Sequence, residues 1–134
     1  MSYSECDDVT TRAAELLAEG KILGWFQGRM EMGPRALGNR SILANPSEVG
    51  IKDRVNNLVK HREQWRPFGP SVTSEHKNSY FVTKSDAPFM TMALPTTEAG
   101  RRDLKAAVHV DTTARAQVVT QQSNPRYHSL ITEF

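Results

Sequence analysis

Three glycines recur every five residues along this chain, at Gly28, Gly33 and Gly38, and an arginine follows each of them within two residues. These arginines are Arg29, Arg35 and Arg40. A glycine lets a ligand approach the backbone because it has no Cβ, and a guanidinium offers forked donors that match phosphate or carboxylate oxygens. The pattern therefore predicts the binding of an anion.

A second group of cations begins about twenty residues further on, with Lys60, Arg62 and Arg66 in the stretch KHREQWRPFGP. Residues 28–66 carry twice as many cations as anions, although the formal net charge of the 134-residue chain is only +2. We interpret the two stretches as one pocket for a phosphorylated small molecule. The nearly neutral total argues against a dedicated nucleic-acid binder, which carries a large basic excess.

Each of these features also has a structural explanation. Arg29 beside Glu31, or Arg62 beside Glu63, can be a surface cation with a nearby partner, and a single glycine can simply form a turn. The combination of the glycines with Arg35 favours a binding site.

The surrounding elements must position this site. Apolar spacing predicts a helix that ends at Gly20 and starts from a capping box at Ser4 and Asp7. A buried strand at 22–26 should lead into the glycine-arginine loop, followed by a return strand at 41–44 and a helix from Pro46 to about Lys60. Further strands are predicted at 87–93, 106–110 and 116–120, and mobile loops at 73–86 and 94–103. This order predicts an α/β (α+β) domain with a mixed twisted sheet and packed helices.

Composition limits the remaining choices. A content of 38% hydrophobic and 24% charged residues is that of a single globular domain, covering residues 1–134. One cysteine, Cys6, excludes an intramolecular disulfide and favours the cytoplasm, and no apolar run is long enough to cross a membrane. His109 and Asp111 form an incomplete metal site, so no metal is predicted.

The run GWFQGRMEMGPRALGNRSI at 24–42, followed by Arg62-Glu63, Arg66-Pro67-Phe68, His109-Val110-Asp111 and Arg115, closely resembles the C-terminal domain of O-carbamoyltransferases of nodulation-factor and antibiotic biosynthesis. The resemblance covers residues 20–134. It implies a YrdC-like fold that is truncated at its C-terminal side and is a fragment of a longer enzyme. It also implies a partner, an N-terminal actin-like domain with an iron site, which transfers the carbamoyl group to a hydroxyl. A homodimer is a further possibility.

By this resemblance, the domain would cleave carbamoyl phosphate to carbamate, which attacks the α-phosphate of ATP, accompanied by Mg²⁺, to give carbamoyl adenylate and pyrophosphate. Lys60, Arg66 and Arg115 would be the catalytic residues, while Arg35, Gly33, Gly38 and Arg40 would bind the nucleotide and phosphate groups. Cations suit this chemistry because phosphoryl transfer depends on positioning and charge neutralisation. Two alternatives remain open: an RNA-binding YrdC-like module and a non-catalytic assembly domain.

Overall fold

The computed structural model describes residues 3–134 and confirms the α+β class. Its elements, in chain order, are α1 (Val9–Ala18), β1 (Leu23–Phe26), β2 (Arg40–Leu43), α2 (Ile51–Arg54, continued by a π-helix over Val55–Lys60), β3 (Ser71–Thr73), α3 (Lys77–Tyr80), β4 (Leu94–Pro95), α4 (Glu98–Asp103), β5 (Thr113–Ala114), β6 (Gln117–Val119) and α5 (Pro125–Glu133). None of the helices described in residues 3–134 has the length and apolar character needed to cross a membrane.

The strands form three two-stranded pieces: β1 with β2 antiparallel, β3 with β6 parallel, and β4 with β5 antiparallel. The predicted strands at 22–26, 41–44 and 116–120 are confirmed by β1, β2 and β6. The strands predicted at 87–93 and 106–110 are wrong. Ala87 and Met90 have φ values of 35° and 52°, which no extended strand accepts, and the N–H groups of Ala107 and Val108 both donate to the carbonyl of Leu104 in a turn.

The first helix begins later than predicted. Asp8, not Ser4, is its N-cap, because the Asp8 carboxylate accepts a 3.1 Å hydrogen bond from the Thr11 N–H. A carboxylate in this position satisfies one of the free N–H groups at the start of a helix.

The second helix is shorter than predicted, and its second half is a π-helix. It begins at Ile51 and not at Pro46, directly after Gly50, whose φ is 84°. Ile51 and Val55 are buried, but Leu58 is 68% exposed. The π-helical i→i+5 bonding of residues 55–60 departs from the 3.6-residue period of an α-helix, so an apolar face of that period does not continue to Leu58.

The two predicted loops contain helices. α3 lies in residues 73–86, and α4 lies in residues 94–103 with the Thr97 hydroxyl accepting from the Gly100 N–H at 3.0 Å. The helix α5 was not predicted, although Asn124 as N-cap followed by Pro125 at the first helical position is a recognisable start signal.

Two apolar clusters hold the fold together. One joins β3, β4, β5 and β6 around Phe81, which is 1% exposed. The other joins α1 and α5 to the strands β1 and β6, and its buried members are Ala13, Leu17, Trp25, Val119, Tyr127 and Leu130. The α1–α5 layer therefore covers one face of both the β1–β2 and the β3–β6 pieces.

A hydrogen bond between Glu75 and His128 links the end of β3 to α5, with 3.0 Å between the Glu75 Oε2 and His128 Nε2 atoms. This contact, helped by the Glu75 backbone N–H, lowers the pKa of Glu75 from 4.5 to about 2. A carboxylate with a depressed folded-state pKa stabilises the fold above its ordinary pKa, and this contribution is lost as the pH falls from 4.5 through 2. We therefore expect Glu75→Gln to flatten the dependence of melting temperature on pH between 5 and 2. Glu133→Gln, at an exposed position of α5, should keep the original profile, and an unchanged profile in Glu75→Gln would contradict the assignment.

Candidate anion site

The glycine-arginine loop between β1 and β2 is organised by Glu31. Its Oε1 atom accepts hydrogen bonds from the N–H groups of Leu37 at 2.6 Å and Asn39 at 2.8 Å. Burial alone would raise the pKa of Glu31, but these backbone donors outweigh burial and lower it. Glu31 thus binds the loop backbone and is not the surface partner of Arg29 that its position in the sequence indicates.

The same loop docks on β6 and α5. Gln117 of β6 donates its Nε2–H to the Leu37 carbonyl at 2.8 Å, and Trp25 donates its indole N–H to the Gly38 carbonyl at 2.9 Å. A Cβ added to Gly38 would lie 2.3 Å from the ring of Tyr127. Gly38 therefore has a packing role, and its contact with a ligand stays a prediction.

Arg115 lies between β5 and β6, near enough for the charge of Arg35 to act on it. Arg35 donates its Nε–H to the carbonyl of Met90 at 2.8 Å. The Nε atom of Arg115 is buried and has no hydrogen-bond partner among the described residues. Burial, and then the charge of Arg35, lower the pKa of Arg115.

We call Arg35 and Arg115 the arginine pair. No carboxylate in residues 3–134 forms a salt bridge with either member. Two like charges and a buried unpaired donor are unfavourable on their own, and an oxyanion between them would relieve both penalties. The pair is therefore the candidate anion site of this chain.

Gly69 allows Arg115 to occupy this position, a role that sequence analysis missed. A Cβ on Gly69 would lie 2.6 Å from the Arg115 carbonyl oxygen and 2.8 Å from the Met90 sulfur. The adjacent Pro70 carbonyl accepts from the Gln117 N–H at 2.8 Å, so the two segments run side by side. In the sequence, the signal for this role is the glycine between Phe68 and Pro70. A glycine at such a place often marks a site where another backbone approaches closely.

The other predicted cations make different contacts. Arg66 is exposed, forms a 3.1 Å salt bridge with Glu63 and stacks over Trp65. Lys60 and Arg40 are exposed, and Arg40 approaches the Met30 sulfur at 3.4 Å. Within the described part of the chain, no contact joins Lys60, Arg66 or Arg40 to the arginine pair, so their roles stay predictions.

Gly33 differs from Gly38, because a Cβ there would meet nothing within 4 Å. Its φ of 129° requires glycine. The open space beside it leaves this side of the loop available to a ligand. Gly33 also stays a predicted ligand contact.

His109 and Asp111 both bind Thr113. The His109 Nδ1 atom lies 3.1 Å from the Thr113 hydroxyl, and the Asp111 carboxylate accepts from the Thr113 N–H at 3.0 Å. These side chains close a turn before β5. They therefore have a structural role in this fold.

A cavity of about 650 Å³ lies between β2, β3, α2 and α5. None of Arg35, Lys60, Arg66 or Arg115 lines it. Its walls are mainly apolar, and Lys52 is the single Lys or Arg among the lining residues that the structure describes. Gly69, which lies against the Arg115 backbone, is nevertheless among its lining residues.

Comparison with known proteins adds a family context. A family model described as "Carbamoyltransferase C-terminus" matches residues 14–134. The nodulation protein NolNO of Sinorhizobium fredii is 50% identical over the whole of this chain, which spans 20% of that relative.

Two other relatives agree with this context. The nodulation protein NolO of Bradyrhizobium diazoefficiens is 46% identical over the whole chain, which spans 25% of its length. A 3'-hydroxymethylcephem-O-carbamoyltransferase of Streptomyces clavuligerus is 42% identical over 88% of the chain, which covers 22% of that protein. The chain thus spans between a fifth and a quarter of the length of these curated relatives.

Proposed function

Because this chain belongs to the carbamoyltransferase family and matches its C-terminal region, we propose that it is the carbamoyl-activating domain of an O-carbamoyltransferase. In this proposal it binds carbamoyl phosphate and ATP, and the arginine pair holds a phosphate group. The observation that carries the proposal is the buried, unpaired Nε–H of Arg115 beside Arg35. A donor of this kind lowers the free energy of the folded state when an oxyanion accepts its hydrogen.

The reaction would proceed in two steps. Water cleaves carbamoyl phosphate to carbamate and inorganic phosphate, and a carbamate oxygen then attacks the α-phosphorus of ATP. The bond from that phosphorus to the bridging oxygen breaks, so pyrophosphate leaves and carbamoyl adenylate forms. The arginine pair would neutralise phosphate charge and orient the reacting groups, which is the main task of a protein in such chemistry.

Mg²⁺ would enter with the nucleotide and would help to neutralise the charge of its phosphate groups. In residues 3–134, no group of three or more His, Cys, Asp or Glu side chains is arranged to hold a metal ion. The metal ion would therefore be bound mainly through the nucleotide.

The remaining steps would belong to other parts of a longer enzyme. An N-terminal actin-like domain with an iron site would receive the carbamoyl adenylate and transfer the carbamoyl group to a hydroxyl. The single cysteine, Cys6, is free and exposed, which suits a reducing cytoplasm. A homodimer remains part of the proposal.

Thermal melting with separate ligands tests the function. We expect carbamoyl phosphate, and ATP with Mg²⁺, to raise the melting temperature in a concentration-dependent way, because each binds the folded chain only. Inorganic phosphate in a parallel titration reports how much of the effect comes from the phosphate group alone. Duplex RNA should leave the melting temperature unchanged.

Two results would contradict the proposal. Equal melting with and without both small ligands would favour the non-catalytic assembly domain. Stabilisation by RNA that weakens steeply with salt would favour the nucleic-acid module.

A further inference from the structure

The segment from Ala87 to Leu94, which we call the strap, is attached on both sides of Arg115. At one end, the Ala87 carbonyl accepts a 3.0 Å hydrogen bond from the N–H of Val118, three residues after Arg115. At the other end, Leu94 pairs with Ala114, the residue before Arg115, in the β4–β5 ladder. The two ends of the strap are therefore fixed at strand positions that flank Arg115.

The ends of the strap are buried, and its middle is exposed. Ala87 and Leu94 are 3% and 5% exposed and belong to the apolar cluster around Phe81. Phe89 and Met92, which lie between them, are 61% and 40% exposed. Core packing therefore fixes the two ends of the strap, whereas the conformation of its middle depends on other contacts.

Met90, in the middle of the strap, contacts the surroundings of both arginines. Its carbonyl oxygen accepts the Nε–H of Arg35 at 2.8 Å. Its sulfur packs against Gly69, where an added Cβ would lie 2.8 Å from it. The same Cβ would lie 2.6 Å from the carbonyl oxygen of Arg115. Met90 thus binds Arg35 directly and also lies against the glycine that packs on the Arg115 backbone.

The backbone of Met90 has a conformation that its residue type disfavours. The φ of Met90 is 52°, and that of Ala87 is 35°. A Cβ is crowded at positive φ, so such a conformation persists in a residue other than glycine where the surrounding contacts impose it. No helix or strand imposes it here, because the strap has neither before Leu94. The conformation directs the Met90 carbonyl to Arg35, and this contact accounts for an otherwise unfavourable backbone.

The hydrogen bond to Met90 determines how Arg35 presents its donors. It uses the Nε–H group, so the two terminal nitrogens of the guanidinium are left for another acceptor. Repulsion from Arg115 acts against a fixed position of the flexible Arg35 side chain. A neutral carbonyl holds the side chain in place and leaves its charge available to an anion, whereas a carboxylate would compete with that anion.

We propose that Met90 is a positioning residue of the anion site. Its carbonyl, held at a positive φ, would fix the guanidinium of Arg35 so that Arg35 and Arg115 bind the same phosphate group. This inference rests on the proposed function of the arginine pair. A donor that is held in place before the ligand arrives binds it more tightly than one that must first be ordered.

Substitutions of Met90 separate the role of its backbone from that of its side chain. Met90→Gly removes the sulfur but accepts a positive φ, whereas Met90→Val keeps an apolar side chain but resists a positive φ because valine is β-branched. We expect Met90→Gly to keep Arg35 in place and Met90→Val to release it. Met92→Val, the same change two residues further along the strap, is the matched control.

Hydrogen exchange of the Arg35 Nε–H group, followed by NMR in the chain without ligand, measures this contact directly. Arg35 should exchange at least roughly tenfold more slowly than Arg126, an exposed arginine of α5, because its Nε–H is hydrogen-bonded. Met90→Val should remove this difference, while Met90→Gly and Met92→Val should keep it. The comparison of the two arginines needs no substitution, so it tests the contact even where a variant fails to fold.

Calorimetric titration with carbamoyl phosphate tests whether the contact serves the anion site. We expect Met90→Val to bind roughly 3- to 10-fold more weakly, as for the loss of one hydrogen bond, and Met90→Gly and Met92→Val to bind normally. In an Arg35→Ala background, Met90→Val should cause no further loss, because Met90 acts through Arg35. A merely structural effect of the valine would weaken binding in both backgrounds.

Three results would overturn the proposal. Arg35 would exchange as fast as Arg126 in the unsubstituted chain, or Met90→Gly would release Arg35 while Met90→Val holds it, or Met90→Val would weaken binding equally with and without Arg35. Failure of the proposed function is distinguishable from these results. The unsubstituted chain would then not bind carbamoyl phosphate, although Met90→Val would still accelerate the exchange of Arg35.

Discussion

Arg115→Ala is expected to bind carbamoyl phosphate on the order of 10- to 100-fold more weakly than the unsubstituted chain. The loss corresponds to about 1.5 to 3 kcal/mol, the usual value for a hydrogen bond to a charged group. Folding should not suffer, because the Arg115 Nε–H has no partner to lose within the described residues and lies near another cation. The measurement is calorimetric titration with carbamoyl phosphate, paired with a melting curve for each variant.

Three further variants sharpen this test. Arg126→Ala removes an exposed cation on α5 and should bind normally. Arg115→Lys keeps the charge but not the forked donors, so it should recover only part of the affinity. Arg35→Ala should weaken binding and also destabilise the fold, because it loses its hydrogen bond to the Met90 carbonyl.

A double variant tests whether the two arginines share one anion. If they do, Arg35→Ala combined with Arg115→Ala should lose less binding energy than the sum of the single changes. Normal binding by Arg115→Ala, or strictly additive losses, would contradict the assignment of the arginine pair.

Gly38→Ala is expected to destabilise the fold by on the order of 2 to 5 kcal/mol, by adding a steric overlap to backbone strain. The new methyl group would lie 2.3 Å from the Tyr127 ring, and Gly38 has a φ of 99°. Tyr127 cannot retreat easily, because it is buried in the α1–α5 cluster and its hydroxyl is bound to Ser71. Urea denaturation, monitored by tryptophan fluorescence, measures the loss.

Gly33→Ala is the matched control for this prediction. It also places a side chain at positive φ, 129°, but the added Cβ meets nothing within 4 Å. It should therefore destabilise the fold only through backbone strain, by roughly 1 to 3 kcal/mol, which is less than the loss expected for Gly38→Ala. Equal losses in the two variants would show that the contact with Tyr127 contributes little.

Tyr127 illustrates how far the packing extends around Gly38. Its complete burial raises its pKa to about 12 and outweighs the opposing hydrogen bond with Ser71. The phenol therefore stays neutral at physiological pH and serves as a donor inside the layer. A ring in this position can be predicted from sequence only if α5 is first recognised.

Local signals predicted some elements well. The run at 22–26 and the return strand at 41–44 contain apolar residues in short segments next to turn glycines, and both strands form. The strands expected at 87–93 and 106–110 failed because a positive φ and turn hydrogen bonds override residue preference there. The start of α5 at Asn124 and Pro125 was visible in the sequence and was missed.

The sequence by itself determined the family resemblance, and it predicts the kind of chemistry, because glycine and arginine at a fixed short spacing favour the binding of an oxyanion. It could not determine which cations meet. Arg35 and Arg115 are eighty residues apart, and they approach each other only after the hairpin loop docks on Gln117 and the parallel register of β3 with β6 sets Gly69 against Arg115. Such an approach depends on long-range strand pairing and packing, which no local pattern encodes, so only the tertiary structure could relate Arg35 to Arg115.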